Sequence, residues 1–313
     1  MANRVPELTN VVVLMGGWSV EREVSLASGK ACTKALEEVG FRVAQVDPKR
    51  DIAEVLAALR PDVVFNALHG RWGEDGMVQA ILETLEIPYT HSGVLASALA
   101  MDKPRAKEIF RGAGVPTVEH RVVDIETAAL SHVMSPPYVV KPANEGSSVG
   151  VHIVHGGANA PPTALLEQRA VYGNGAVMVE RFIPGRELTC AVMGNVALGV
   201  IEIQPAVGFY DYRAKYAPGG SVHVLPAPVP PDVYRKVQQY ALNAHMALGC
   251  RGVSRADFRY DDGPGKEAEL YILEVNTQPG MTGTSLVPEL AQHAGHSMQE
   301  LVRWLIDDAS LDR

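Results

Sequence analysis

Short apolar runs alternate with longer segments of helical spacing in the first hundred residues of the chain. Strands are predicted at 11–15, 41–46 and 62–66, and helices at 25–39, 52–59 and 77–85. This βαβα order predicts a parallel sheet with helices on its faces. Ligands bind such sheets at the carboxyl ends of the strands, so the loops at 16–21 and 66–76 form the expected binding edge.

The remainder of the chain mixes strands with helices and predicts two further units. In the second unit we expect a helix from 103 that ends between 112 and 114, strands at 118–123, 138–141, 151–154 and 176–182, and a helix at 163–172. In the third we expect strands up to 204, an irregular segment at 209–226, a helix at 232–248, two strands around 253–260 and 274–276, and a last helix at 297–306. The predicted domains are therefore 1–100, an α/β unit, and 101–185 and 186–313, both of α+β character.

Composition describes an ordinary globular protein and limits the classes of partner. The 313 residues are 47% hydrophobic and 20% charged, and this length suggests two or three domains. A net charge of -8 disfavours nucleic acid or an anionic membrane as the main partner. Three separated cysteines without CxxC spacing predict reduced thiols, not disulfides or a zinc site. We see no signal peptide and no apolar run near the roughly 20 residues of a membrane span, so we expect a cytoplasmic location.

Alternating oxygen donors mark a candidate metal site near the end of the chain. Glu274 and Asn276 are two residues apart, so in a strand they project from one face. Asp257 lies in another alternating run that would pair alongside and add a third oxygen. Such a set is typical of Mg²⁺ sites that leave positions to water and substrate phosphates. A surface strand with scattered acids remains the alternative.

Two glycine-rich loops are candidate anion sites. The loop at 141–150 begins with Lys141 at a strand end and contains Gly and Ser residues whose backbone amides can approach phosphate oxygens. It lacks the P-loop order, which disfavours a Walker-type NTPase, and a plain surface turn remains possible. The loop at 16–19 lacks GxGxxG spacing, which disfavours NAD binding, but Glu21 follows it at the expected binding edge.

A segment at 209–216 combines three tyrosines with two basic residues before a Gly-rich stretch. A loop of this kind often closes over a site and excludes water, and its Lys215 would then meet a phosphate. Aromatic residues that merely anchor a long loop are the alternative.

Taken in order, these motifs resemble the D-alanine–D-alanine ligase family of the ATP-grasp superfamily. The resemblance runs through nearly the whole chain and rests on GGWSVEREVSLASG (16–29), ALHGRWGEDG (67–76), MDKPRAK (101–107), KPANEGSSVGV (141–151), ERFIPGRELT (180–189), FYDYRAKY (209–216), SRADF (254–258) and LEVNTQPGMTGTSLVP (273–288). The surroundings of the motifs differ at Trp18 and Trp72. The resemblance implies a three-domain ATP-grasp fold with an N-terminal parallel α/β domain, and ATP held between the central and C-terminal domains.

The resemblance also implies roles for individual residues. On the ATP side it implies phosphate binding by Lys103, Lys141 and Lys215, an adenine-side strand and hinge at Glu180, Phe182 and Ile183, and a ribose ligand at Glu187. The implied metal ligands are Asp257, Glu274 and Asn276, with two Mg²⁺ ions expected and Mn²⁺ as a substitute. On the amino-acid side it implies that Glu21 binds the ammonium of the first D-alanine, that Arg255 and the Gly280 N–H stabilise an oxyanion, that Ser285 and Leu286 hold the carboxylate of the second, and that Glu21, Ser147 and Tyr216 fasten the mobile loop.

The implied activity is ligation of two D-alanine molecules through a D-alanyl phosphate, with ADP and phosphate released, for peptidoglycan precursor synthesis. D-alanine and ATP are the expected small-molecule partners, and a homodimer is the expected assembly. His69 is either a structural histidine or a proton carrier. Two alternatives stay open: another ATP-grasp carboxylate–amine ligase, including a D-alanine–D-lactate or D-alanine–D-serine ligase, and a non-catalytic nucleotide-binding regulator. Tyr216 favours an amine over D-lactate as the second substrate.

Overall fold

The computed structural model describes residues 3–144, 146, 150–172, 175–205 and 220–312. Within these ranges the strands form three sheets of three, four and five strands. Two predicted motifs are affected by these gaps. Ser147 of the loop at 141–150 and the whole segment at 209–216 lie outside the described residues. None of the helices in the described ranges is both long and apolar enough to cross a membrane.

The N-terminal sheet is parallel, as the alternation of apolar runs predicts. Its strands lie in the order β2-β1-β3. They are β1 (Asn10–Leu14), β2 (Arg42–Val46) and β3 (Val63–Asn66), and the helices are α1 (Arg22–Val39), α2 (Ile52–Leu59), α3 (Met77–Thr84) and α4 (Val94–Met101). Helix α1 begins three residues earlier than predicted and so includes Arg22. The loops at 16–21 and 66–76 consequently leave the same edge of the sheet, where parallel strands end.

The middle of the chain forms an antiparallel sheet in the order β4-β7-β5-β6. Its strands are β4 (His120–Asp124), β5 (Tyr138–Pro142), β6 (His152–Val154) and β7 (Ala176–Arg181), and its helices are α5 (Lys103–Gly112) and α6 (Ile125–Leu130). The predicted helix at 163–172 is present, but it is a 3-10 helix over Thr163–Tyr172. Only Leu165 and Tyr172 of this segment are buried, so it has no wide apolar stripe to support a regular α-helix.

The C-terminal sheet is antiparallel, with the order β10-β9-β8-β11-β12. Its strands are β8 (Arg186–Met193), β9 (Val196–Pro205), β10 (Ser221–Val224), β11 (Val253–Asp261) and β12 (Glu269–Asn276), and its helices are α7 (Pro231–Leu248), α8 (Leu286–His293) and α9 (Met298–Asp308). The prediction of an irregular segment at 209–226 is wrong for 221–224, which pair with β9 at the sheet edge. Four residues with partly exposed side chains give too short an alternation to stand out in the sequence.

The two faces of the C-terminal sheet belong to different cores. One face packs against α4, α5 and α7 and buries Leu188, Phe258 and Ile272. The opposite face is apolar at one end, where Ile201 and Val253 share a core with Val11 and Val63 of the N-terminal sheet. Its other end carries charged and polar residues. The change from apolar to polar along one face places a polar surface beside a rigid core.

We expect Gly29 to be required for the packing of α1 on β1. A Cβ atom at this buried helical position would overlap the side chain of Met15, and overpacking of this kind costs about 1–3 kcal/mol. The Gly29→Ala substitution should lower the free energy of unfolding by that amount, as measured by urea denaturation.

The matched control is Gly112→Ala at the end of α5, where an added Cβ meets nothing within 4 Å. This substitution should leave stability unchanged or raise it by about 0.5 kcal/mol, because alanine restricts the unfolded chain. Equal stability of the Gly29→Ala protein and the wild type would contradict the packing.

Candidate active site

The polar end of the C-terminal sheet gathers the predicted metal ligands on one face. Strand β11 pairs with β12 so that Asp257 lies opposite Glu274 and Arg255 lies opposite Asn276. On the other side of β11, Asp257 lies opposite Thr189 of β8. The pairing register of β11 with β12 shifts between Asp257 and Phe258. Side chains therefore alternate regularly between the two faces at Arg255 and Asp257, but not along the whole strand. The structure therefore brings Asp257, Glu274 and Asn276 together.

Each oxygen donor of this set already has a partner in the chain. Asp257 accepts two hydrogen bonds from Arg255, at 2.9 and 2.8 Å, and one from the Thr189 hydroxyl at 2.7 Å. The Glu274 carboxylate lies 3.3 Å from Lys103 Nζ. Asn276 Oδ1 accepts from the Gln278 amide at 2.7 Å. The positive charges of Arg255 and Lys103 thus balance the negative charges of Asp257 and Glu274.

The donor set suits a hard divalent cation. Carboxylate and amide oxygens on adjacent strands match the preference of Mg²⁺, which also keeps positions for water and phosphate. In the described part of the chain no three His, Cys, Asp or Glu side chains cluster as a metal site, and the third donor here is an amide. Nucleotide phosphates would have to complete the coordination.

A buried charge cluster lies beside this set on the central sheet. Glu180 is 4% exposed, and its carboxylate lies 2.5 Å from Lys141 Nζ and 3.0 Å from Lys107 Nζ. Burial alone would raise the pKa of Glu180, but the charges and hydrogen bonds of the two lysines outweigh it and lower the pKa to about 2. Burial lowers the pKa of Lys107, and the attraction of Glu180 only partly offsets this.

Lys107 is a member of this charge cluster that the sequence-based prediction missed. Its side chain is fully buried, which is rare for lysine without a partner. It lies one helical turn after Lys103 on α5, so one helix presents one ammonium to Glu274 and another to Glu180. The signal was available in the four-residue spacing of the two lysines, but nothing in the sequence pointed to Glu180 as the partner.

The predicted hinge residues Phe182 and Ile183 lie in the connection between β7 of the central sheet and β8 of the C-terminal sheet. The Ile183 carbonyl accepts from Arg259 Nε at 3.0 Å, and the Phe182 amide donates to the Pro137 carbonyl at 3.2 Å. Glu187, the predicted ribose ligand, lies 3.3 Å from Arg259 Nη1. These contacts fix the hinge from both sides.

Glu21, the predicted ammonium ligand, is enclosed by two glycines. It is 5% exposed. A Cβ at Gly70 would lie 2.7 Å from Glu21 Oε2, and one at Gly146 would lie 3.2 Å from the same atom. A larger residue at either position would have to displace the Glu21 carboxylate. The loop at 141–150 therefore reaches Glu21, although Ser147, Lys215 and Tyr216 lie outside the described residues.

His69 links the N-terminal loops to the turn that follows β12. Its Nδ1 lies 3.2 Å from Glu74 Oε1 and 3.0 Å from the Gln278 carbonyl, and its Nε2 lies 3.0 Å from Ser28 Oγ. Burial would lower the pKa of His69, but the hydrogen bond and charge of Glu74, with smaller contributions from Glu21 and Gln278, raise it. His69 is fully enclosed in this network, which favours the structural interpretation over the proton carrier.

The turn itself holds the predicted oxyanion and carboxylate residues. The Met281 amide donates to Ser28 Oγ at 3.2 Å, next to Gly280. Ser285 Oγ accepts from the Thr282 amide at 3.0 Å, and a Cβ at Gly280 would lie 2.9 Å from it. Leu286 is the first residue of α8, where unpaired helix amides and the helix dipole favour an anion.

We expect the charge cluster around Glu180 to make stability depend on acid pH. A carboxyl group with a folded-state pKa of about 2 against an ordinary value of 4.5 contributes stability that is fully present above pH 4.5 and is lost as pH falls towards 2. The wild type should therefore lose about 3 kcal/mol more free energy of unfolding than Glu180→Gln over that range.

Urea denaturation at several pH values between 5.5 and 2 measures this difference. The control is Glu54→Gln at an exposed position of α2, which should follow the wild type. A Glu180→Gln protein with the same pH slope as the wild type would contradict the assignment of this stability to Glu180.

Comparison with known proteins gives one consistent family. The model described as D-ala D-ala ligase C-terminus matches residues 109–307, and the model described as D-ala D-ala ligase N-terminus matches residues 42–92. A D-alanine–D-alanine ligase of Methylobacterium radiotolerans is 63% identical over 305 residues, which cover 97% of this chain and 99% of that protein. One of Parvibaculum lavamentivorans is 61% identical over 304 residues, covering 97% and 98%.

Solved structures agree in fold. The D-alanine–D-alanine ligase of Bacillus anthracis complexed with ATP superimposes with a TM-score of 0.79 at 29% identity, covering 96% of this chain and 97% of that one. The VanG D-Ala:D-Ser ligase of Enterococcus faecalis superimposes with a TM-score of 0.76 at 28% identity, covering 95% and 98%. The resemblance stated from the sequence and the predicted fold class are both confirmed: the chain belongs to the D-alanine–D-alanine ligase family and has its three-sheet ATP-grasp fold.

Proposed function

We propose that the protein ligates two D-alanine molecules to D-alanyl-D-alanine and converts one ATP to ADP and phosphate. The observation that carries this proposal is the linkage of the two halves of the site. His69 contacts Gln278, and Ser28 contacts both His69 and the Met281 amide. The Glu21 loops and the Gly280 turn therefore belong to one buried network, as a reaction between an amino acid and an activated carboxylate requires.

On the nucleotide side, Lys103 and Lys141 would bind phosphate oxygens of ATP. Both side chains are largely buried, and their ammonium groups lie close to the carboxylates of Glu274 and Glu180. These carboxylates hold the ammonium groups in place. Buried cations of this kind stabilise the charge of a transferring phosphoryl group. The hinge residues Phe182 and Ile183, with Glu180 and Glu187, would hold the adenine and ribose. Lys215 would add a phosphate contact from the loop at 209–216.

Asp257, Glu274 and Asn276 would hold Mg²⁺, in a site for two ions that also accepts Mn²⁺. When bound there, the metal neutralises negative charge on the phosphates. Arg255, which contacts Asp257, would also reach the reacting carbonyl oxygen, and Lys103, which contacts Glu274, would reach phosphate.

The amino-acid chemistry follows in two steps. A carboxylate oxygen of the first D-alanine, whose ammonium Glu21 binds, attacks the γ-phosphorus of ATP, and ADP leaves. The amine of the second D-alanine attacks the carbonyl carbon of this D-alanyl phosphate and loses a proton, and phosphate leaves with the transferred oxygen. Arg255 and the Gly280 N–H would stabilise the oxyanion formed in between. Ser285 and the Leu286 amide would hold the second carboxylate, and Ser147 and Tyr216 would join Glu21 to close the loop.

A second candidate differs only in the second substrate. The VanG D-Ala:D-Ser ligase superimposes almost as well as the Bacillus anthracis D-alanine–D-alanine ligase, so the fold itself does not select between D-alanine and D-serine. The higher identity to relatives named D-alanine–D-alanine ligase supports the first candidate. A role in peptidoglycan precursor synthesis, a homodimer and a cytoplasmic location stay predictions of the family resemblance.

The test is phosphate release from ATP and Mg²⁺ with D-alanine, L-alanine, D-serine plus D-alanine, and D-lactate plus D-alanine, with products identified by mass. We expect release with D-alanine and a D-alanyl-D-alanine product. D-alanine labelled with ¹⁸O in its carboxylate should transfer one ¹⁸O to phosphate, because that oxygen leaves with the phosphoryl group. Formation of D-alanyl-D-serine in preference to D-alanyl-D-alanine would support the second candidate. Unlabelled phosphate would contradict the acyl phosphate intermediate.

Arg255 should be required for the chemical step but not for ATP binding. Lysine keeps the charge but cannot bind Asp257 through two nitrogens. We expect Arg255→Lys to lower kcat by about 100-fold, the scale of losing one oxyanion donor, while the Kd for ATP stays within about 3-fold. The control is Arg186→Lys on the neighbouring strand β8, where the guanidinium contacts Glu202, Asp262 and the Pro228 carbonyl, and this substitution should change neither quantity. A kcat of Arg255→Lys near the wild-type value would remove Arg255 from the reaction.

A further inference from the structure

Two tryptophans that distinguish the motifs of this chain meet above the Glu21 loop. Trp18 and Trp72 pack edge to face, with ring centroids 5.3 Å apart and an interplanar angle of 62°. The guanidinium carbon of Arg50 lies 5.2 Å from the Trp18 centroid and 4.9 Å from that of Trp72. One cation therefore contacts two aromatic rings, an arrangement that is favourable even at a partly exposed site.

The three residues come from three different loops. Trp18 follows β1, Arg50 follows β2 and Trp72 follows β3, so the cluster spans every loop at the binding edge of the N-terminal sheet. We define Trp18, Arg50 and Trp72 as the aromatic clamp. Residues so far apart in sequence gain nothing from local secondary structure, so the contacts of the clamp hold the loops together directly.

The loop that carries Arg50 is itself anchored. Asp47 binds Arg22 through two nitrogens, at 2.7 and 2.6 Å, and accepts from the Gly17 amide at 2.9 Å. Paired charge-assisted bonds of this geometry are among the stronger polar contacts at a surface. The loop after β2 is therefore a fixed platform from which Arg50 reaches the two rings.

The backbone of Trp72 supports a constrained role. Its φ of 77° lies in the left-handed region, which is unfavourable for a large aromatic residue. Such a conformation persists only where surrounding contacts hold it, and it occurs preferentially at functional sites. The clamp supplies contacts of this kind.

Beneath the clamp, the same two loops hold Glu21. Ser19 Oγ donates to the His69 carbonyl at 2.6 Å and accepts from the Glu21 amide at 3.1 Å. Glu21 Oε2 lies 2.7 Å from where a Cβ at Gly70 would be. The position of this carboxylate therefore depends on the separation of the loops after β1 and β3, which the Ser19–His69 hydrogen bond and the clamp bridge at two different points.

We infer that the aromatic clamp consists of positioning residues that set the affinity for the first amino-acid substrate through Glu21. This inference rests on the proposed function, because the ammonium of the first D-alanine is what Glu21 would bind. The clamp lies on the loops of the N-terminal sheet, whereas the nucleotide contacts proposed above come from Lys103, Lys141 and the C-terminal strands.

The test compares Arg50→Met with Arg50→Lys. Methionine keeps the side-chain length but removes the charge, whereas lysine keeps a cation for the rings. Loss of two cation–π contacts at a surface predicts a rise of about 10-fold in the KM for the first D-alanine in Arg50→Met. This KM is obtained by fitting the dependence of the rate on D-alanine concentration with a separate KM for each of the two D-alanine sites. The KM for ATP and kcat should stay within about 2-fold, and Arg50→Lys should restore most of the affinity.

A second pair of variants separates the clamp from general stability. Trp72→Gly removes the ring but is compatible with the positive φ, so it relieves backbone strain, and Trp72→Phe keeps an aromatic ring. We expect the first-site KM to rise about 10-fold in Trp72→Gly while its melting temperature does not fall in parallel, and to rise less in Trp72→Phe. An unchanged first-site KM in both Arg50→Met and Trp72→Gly, or an equal rise in the KM for ATP, would overturn the inference.

Hydrogen exchange of the protein without substrates tests the clamp independently of catalytic activity. Amides of loops 16–21 and 66–76 should exchange about 10-fold faster in Arg50→Met than in the wild type, with the central sheet unchanged. If the wild type forms no dipeptide, the proposed function fails while faster exchange confined to these loops still supports the clamp. Unchanged exchange in both loops would overturn the clamp even if the wild type is active.

Discussion

The antiparallel register of β8, β11 and β12 is the constraint on which the site depends. It places Asp257 between Thr189 and Glu274 and sets Arg255 opposite Asn276. The same face continues into the apolar core shared with the N-terminal sheet. A slip of one residue in β11 would therefore bury charges in the core and expose apolar residues to the site. The hydrophobic pattern that folds the sheet also positions the polar groups.

Helix α5 connects this face to the central sheet through paired charges. Lys103 lies 3.3 Å from Glu274, and Lys107 lies 3.0 Å from Glu180. Buried ion pairs contribute little net stability against apolar alternatives, but loss of one partner is costly because the other charge stays buried. Here the two pairs hold both ammonium groups of one helix in fixed, largely buried positions. In the proposed function Lys103 would bind phosphate from such a position, so stability and binding would be coupled along one helix.

Several features of the fold and the site followed from sequence patterns, and the others failed for identifiable reasons. Alternation predicted that Glu274, Asn276 and Asp257 would converge, and the βαβα order predicted the parallel sheet. Lys107 was missed because its partner Glu180 is far away in sequence, and β10 because four residues give no clear period. Sequence patterns offered no interpretation of Trp18 and Trp72, because Arg50, which contacts both rings, follows a different strand from either tryptophan. Long-range side-chain contacts carry no local signal, and the domain boundaries at 100 and 185 stay predictions for a similar reason.

The most direct measurement is the binding of Mn²⁺, followed by electron paramagnetic resonance, with and without ADP. Asp257, Glu274 and Asn276 offer only three side chains as oxygen donors, and Arg255 and Lys103 contact the two carboxylates. We therefore expect weak binding without nucleotide and at least about 10-fold tighter binding with ADP, whose phosphates would complete the coordination. Glu274→Gln should lose most of this gain. Tight binding without nucleotide would contradict the need for phosphate ligands, and unchanged binding in Glu274→Gln with ADP would show that the metal is held elsewhere.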